Sequence, residues 1–124
     1  MVLVDTSVWV AHLRAGENGL IGLLNNSQVL IHPFIIGELA CGNLKNRAEI
    51  LSLLQSLTVA TVAEHTEVMQ FIEDHQLMSR GIGYVDVHLL TSVMLNGVSI
   101  WTFDKKLKAA AAQFGINFKN EKTS

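Results

Sequence analysis

Apolar residues along this chain gather into short unbroken runs, separated by stretches in which they recur at three-four spacing. Val2, Leu3 and Val4 form the first run, rich in β-branching and continuous, as in a strand covered on both faces. Val29, Leu30 and Ile31 repeat it. His32 and Pro33 close that second run, because proline lacks the amide that a ladder needs yet suits the first turn of a helix. Residues 58–63 (TVATVA) and 98–103 (VSIWTF) also have strand composition, and 116–118 are expected to add an edge strand.

The intervening stretches read as helices. One opens after Asp5 with Val8, Trp9, Ala11, His12 and Leu13, and a short one follows at 20–24 before Asn25 and Asn26. From about Pro33 to Cys41, Ile35, Glu38, Leu39 and Gly42 fall on one stripe, with an exposed position at the helix edge as the alternative for Glu38. Ala48 to Leu57 is amphipathic and carries no evident chemistry, and Glu64 and Glu67 suit the first turn of a helix with Val68, Phe71, Ile72 and His75 on its inner face. Residues 79–83 (SRGIG) read as a loop. Tyr84 to Asn96 then places Asp86, Leu89, Leu90 and Val93 at i, i+3, i+4 and i+7, and Leu107, Ala110, Ala111 and Phe114 make a closing helix capped by Gly115.

Strands alternating with helices predict an α/β fold of three layers, α/β/α, around a central, mostly parallel sheet. Parallel strands joined by right-handed crossovers open every strand-to-helix junction on the same edge. Asp5, which ends the first strand, and Asp104, which ends the strand at 98–103, must then share that edge. Residues 1–119 are expected to form a single domain and 120–124 a frayed tail.

Composition narrows the class. The chain has 124 residues, of which 49% are hydrophobic and 16% charged, a globular balance with a core to fill. A net charge of -2 announces no global positive field. The lone cysteine, Cys41, excludes an intramolecular disulfide framework, fits a reducing cytoplasm and is expected to be a small buried hydrophobe. No signal-like segment is present, and no apolar run approaches the ~20 residues that span a bilayer, so the expectation is a cytoplasmic protein without membrane contact.

The polar residues then need an account. An acid on an inward helix stripe, as predicted for Glu38 and Asp86, is costly unless it is paired, hydrogen-bonded or bound to a metal. Asp5 by itself reads as a helix N-cap, and Asp86 in a first turn gains from the helix dipole. Together with Asp104, however, the four would form one cluster whose mutual repulsion a divalent cation relieves. Ligation by carboxylates alone suits Mg²⁺ or Mn²⁺ and poorly suits zinc. Such a metal is the usual equipment for moving phosphodiesters. The five histidines, His12, His32, His65, His75 and His88, show no metal-ligand spacing.

In this order and spacing, VLVDTSVW, the glutamate of IIGELACG, the aspartate of GIGYVDVHLL and the aspartate of WTFDKKL make the chain resemble the PIN-domain ribonucleases. Among them it is similar to the VapC-like toxins of bacterial toxin-antitoxin pairs, over nearly its whole length. The resemblance implies that Asp5, Glu38, Asp86 and Asp104 hold Mg²⁺ or Mn²⁺, with Thr6 or Ser7 ordering a water on it. It also implies an endoribonuclease that leaves a 3′ hydroxyl and a 5′ phosphate, a homodimer, and a cognate antitoxin whose tail blocks the acidic pocket. Arg80, Arg14 and Lys105 are candidate phosphate contacts for the RNA, Arg80 because it precedes Asp86 in a glycine-containing loop. The alternatives are a haloacid-dehalogenase-like phosphohydrolase and a non-catalytic PIN-like domain that binds RNA or protein. The first calls for an aspartate two positions after Asp5, where Ser7 stands, and the second for a lost acid, whereas all four are present.

Overall fold

In the computed structural model, which describes residues 1–119, β1 (Val2–Val4) lies inside a parallel sheet ordered β3-β2-β1-β4. The other strands are β2 (Val29–Ile31), β3 (Thr58–Val59) and β4 (Ser99–Trp101). Val2 faces Val29 on one side and Ser99 on the other, and Leu3 faces Leu30 and Ile100. All three residues of β1 are buried, which is why its sequence is apolar without alternation. The tail expected at 120–124 lies outside the described residues.

Among the described residues seven helices join and cover these strands: α1 (Thr6–Ala15), α2 (Asn18–Asn25), α3 (Pro33–Ala40), α4 (Arg47–Ser56), α5 (His65–His75), α6 (Tyr84–Asn96) and α7 (Lys105–Gln113). The chain steps from β1 to β2 to β3 in one direction and then returns across the sheet to β4. Right-handed crossovers therefore put α1 to α4 on one face and α5 and α6 on the other. The reversal falls between β1 and β4, so the segments leaving these two strands diverge and open a crevice at their carboxyl ends. Asp5 and Asp104 flank that crevice. The predicted shared edge is thus a topological switch point.

Both long strand predictions come out shorter, for identifiable reasons. In 58–63 only Thr58 and Val59 pair as a strand, because the Asn96 side chain takes over the backbone of Thr61, accepting from its N–H and donating to its carbonyl at 3.2 Å each. In 98–103 the ladder stops at Trp101, where the Thr102 side chain begins a turn. Residues 116–118 do run along the β4 edge, through Ile100 N–H to Ile116 O and Phe118 N–H to Ile100 O at 2.8 Å each, with one bridge at Asn117.

The predicted helix faces are largely occupied as expected. Leu89, Leu90 and Val93 of α6, Leu107, Ala110 and Ala111 of α7, and Val68 of α5 join Leu3, Val4, Ile31 and Ile100 in one core. Helix α6 is buried continuously from Val87 to Val93, more than a single stripe requires. Glu64 and Glu67 form a reciprocal capping box at the start of α5. Cys41 corrects an expectation: α3 ends at Ala40, and the thiol is exposed beyond its last turn instead of packing inside. Among the described residues no helix is long and apolar enough to cross a membrane.

Candidate active site

Asp5 enters the site from the end of β1, held by its own N–H to the Trp101 carbonyl at 2.9 Å. Although it occupies the N-cap position of α1, its side chain makes no capping hydrogen bond. Its carboxylate is turned to the neighbouring strand end, where Oδ2 accepts from Ser7 Oγ at 2.9 Å and Thr102 Oγ1 at 2.7 Å. Asp104, its counterpart after β4, does cap: Oδ1 accepts from Leu107 N–H at 2.9 Å. Two aspartates at matching strand ends thus do different work.

Thr102 is the site residue that periodicity did not reveal. It is buried, donates to Asp5 and accepts from Asp104 N–H at 3.0 Å, while Ser7 Oγ accepts from Phe103 N–H at 3.0 Å. A threonine directly after a strand and two residues before an acid is the pattern of a hydroxyl-closed turn, and that local signal would have marked it. Through it the β4 turn and the start of α1 are joined at one carboxylate.

Glu38 corrects a second expectation. Ile35 and Leu39 of α3 are buried, but Glu38 sits on the flank of their stripe and is exposed. Three residues advance a helix by about 300°, leaving it roughly 60° off the centre of the face. It is directed all the same, since Oε1 accepts from Thr6 Oγ1 at 3.0 Å across to α1. The hydroxyls of Thr6 and Ser7 therefore both donate to carboxylates.

Asp86, in the first turn of α6, is half-buried, and its carboxyl is pushed up from 3.8 to about 6. Burial is the largest cause, followed by the charges of Asp5, Asp104 and Glu38, with a backbone hydrogen bond from Gly83 acting against them. The other three predicted acids thus all bear on Asp86. Among the described residues no three Asp, Glu, His or Cys side chains stand close enough to form a preformed metal cage. A hard ion that keeps several waters needs only one or two carboxylates plus substrate phosphate, and an all-oxygen donor set under mutual repulsion fits Mg²⁺ or Mn²⁺ on those terms.

The cations are arranged less uniformly than the sequence suggested. Arg80 donates from Nη1 to Gln113 Oε1 at 2.6 Å, tying its loop to the last residue of α7. Arg14 and Lys105 are exposed, Lys105 immediately after Asp104. The Lys106 stem lies over Gly81, whose φ is +73°. A Cβ there would come within 2.5 Å of Nζ and 3.1 Å of Cδ and Cε, so Gly81→Ala combines left-handed backbone strain with displacement of that lysine. The expected outcome is a loss of ~1–2 kcal/mol, read as a lower midpoint in urea unfolding; an unchanged midpoint would show that the loop adapts freely.

His32 is fully buried, caps α3 by accepting from Phe34 N–H at 3.0 Å, and is lowered to about 4 by burial and by His88. A cleft of about 510 Å³ between α5 and α6 includes Phe71, His75 and Met94 but none of the four acids. The acids stand apart from it, with Asp5 and Asp104 at the carboxyl ends of β1 and β4.

The family model of the PIN domain matches residues 2–113, a span that contains all four acids. The chain belongs to the PIN-domain family. It is 45% identical over 122 residues to Ribonuclease VapC32 of Mycobacterium tuberculosis, in strains CDC 1551 and H37Rv alike, with 98% of both chains covered. The crystal structure of PAE2754 from Pyrobaculum aerophilum superposes with a TM-score of 0.64 at 19% identity, covering 87% of this chain and 82% of that one, and supports the fold. The resemblance to PIN-domain, VapC-like ribonucleases read from the four motifs is borne out.

Proposed function

We propose that this PIN-domain protein is a Mg²⁺- or Mn²⁺-dependent endoribonuclease toxin that hydrolyses RNA phosphodiesters and is restrained by a cognate antitoxin. The observation that carries the reading is the raised Asp86 carboxyl, crowded by Asp5, Asp104 and Glu38 at the switch point. Similarity to a ribonuclease over the whole chain supports the reaction class.

In this reading Asp5 and Asp86 hold the ion and Glu38 and Asp104 complete the acidic ring, Asp104 with the oxygen that its cap leaves free. When bound, the ion lowers the pKa of a water and neutralises charge that develops on the phosphate. The protein's own part is positioning. Thr6 holds Glu38, Ser7 and Thr102 hold Asp5, and the dipole of α6 favours the ionised form of Asp86 once its neighbours are neutralised. Lys105, Lys106 and Arg14 bind phosphates flanking the cut, and Arg80 braces the loop before Asp86. Attack in line by water leaves a 3′ hydroxyl and a 5′ phosphate, with no role for the 2′ hydroxyl. The toxin acts in the cytoplasm as a homodimer, and the antitoxin tail competes for the acidic crevice.

The test is incubation of purified protein with a mixed pool of cellular RNA. Cleavage is expected with Mg²⁺ or Mn²⁺ and not with a chelator, and the fragments should carry 5′ phosphates that ligate without prior phosphorylation. Fragments ending in 2′,3′-cyclic phosphate, or equal cleavage in the chelator, would overturn the metal-hydrolysis reading.

A further inference from the structure

Ser7 and Thr102 each have a single hydroxyl hydrogen to give. Phe103 N–H donates to Ser7 Oγ and Asp104 N–H donates to Thr102 Oγ1, both at 3.0 Å, so each oxygen is already engaged as an acceptor. The two hydroxyls approach one another only at 3.3 Å, against 2.9 and 2.7 Å to Asp5 Oδ2. Both hydrogens therefore point at the same carboxylate oxygen. A carboxylate oxygen has about two lone-pair sites, and those of Oδ2 are filled. Asp5 is only 6% exposed, and the free acceptor it has left is Oδ1.

We infer that Ser7 and Thr102 are positioning residues that restrict Asp5 to one ligating oxygen and thereby set which divalent ion the site prefers. The inference rests on the metal-site reading given above and deepens it. Mg²⁺ takes a small octahedral shell at 2.0–2.1 Å and is content with single oxygens from one or two carboxylates. Ca²⁺ gathers 6–8 oxygens and draws on bidentate carboxylates to reach that number. A carboxylate with one oxygen sealed by two hydrogen bonds serves the first and denies the second. The same two hydroxyls hold the 102–104 turn, so the restriction is built into the junction of β4 with α7 and does not depend on a mobile side chain.

The experiment is calorimetric titration of chelator-stripped protein with Mn²⁺, Mg²⁺ and Ca²⁺, for wild type, Ser7→Ala, Thr102→Val and Thr102→Ser. The expected result is a ratio of Ca²⁺ to Mn²⁺ affinity that rises about tenfold in Ser7→Ala and Thr102→Val, within the range by which outer-shell partners tune metal sites, while Thr102→Ser keeps the wild-type ratio. A fall in both affinities at constant ratio would reduce the hydroxyls to general scaffolding and overturn the inference alone. Wild type that takes up neither Mn²⁺ nor Mg²⁺ would overturn the metal-site reading and this inference with it. Should Thr102→Val not fold, Ser7→Ala removes one seal from a half-buried side chain and decides the question by itself.

Discussion

Asp5→Asn should lower RNA cleavage by at least about a hundredfold while leaving the protein folded. The asparagine keeps one oxygen, which can go on accepting from Ser7 and Thr102 in place of Oδ2. What changes is the other position, where a free carboxylate oxygen gives way to an amide that donates and cannot ligate. Stability should not suffer, because Asp5 makes no capping hydrogen bond to α1 and its charge is one of those bearing on Asp86. The check is specific activity with Mn²⁺ alongside the melting temperature in a chelator. A variant that unfolds, yet retains wild-type turnover in its folded fraction, would assign Asp5 to structure.

Asp86→Asn should also abolish cleavage, and in addition it should stabilise the metal-free protein in a pH-dependent way. The folded carboxyl stands near 6 against 3.8 for the free side chain, so the native state holds this proton more tightly than the unfolded chain does. Below the lower value both states are protonated and the group costs nothing. As pH rises from there to about 6 the unfolded chain ionises first, and native stability falls until both states are charged. That difference corresponds to ~3 kcal/mol before screening. For a half-exposed group, solvent reduces this to ~1 kcal/mol, or roughly 3–5 °C in melting temperature for a chain of this size. The variant should therefore melt with wild type near ~pH 3 and above it near ~pH 7.5. Adding Mg²⁺ at the higher pH should raise the wild-type melting temperature and leave the variant unmoved. Equal melting of the two proteins at both pH values would mean that Asp86 is not under the repulsion described.

Much of this molecule follows from local pattern. The runs at Val2–Val4 and Val29–Ile31 became strands with those bounds, and Tyr84–Asn96 became a helix with those bounds. Strand and helix periods are properties of consecutive residues, so they survive whatever the rest of the chain does. The meeting of Asp5 with Asp104 was also legible, because parallel strands with right-handed connections leave their carboxyl ends no other edge.

Other features depended on partners that the linear order keeps apart. Thr6 meets Glu38 across 32 positions, Arg80 meets Gln113 across 33, and Ser7 and Thr102 meet across 95. Periodicity gave Glu38 to the inner face, and the packing of α3 rotated it to the rim, where a hydroxyl from α1 holds it. The same kind of contact shortened the strand at 58–63, since Asn96 satisfied backbone groups of Thr61 that a ladder would otherwise have used, whereas the strand at 98–103 was stopped by the local turn at Thr102. The sequence by itself determined the elements, their order and the edge at which the acids collect, because these follow from side-chain period and chain handedness. The tertiary structure alone decided which oxygen of Asp5 and of Glu38 is already engaged, because a directional hydrogen bond depends on where two distant segments come to rest.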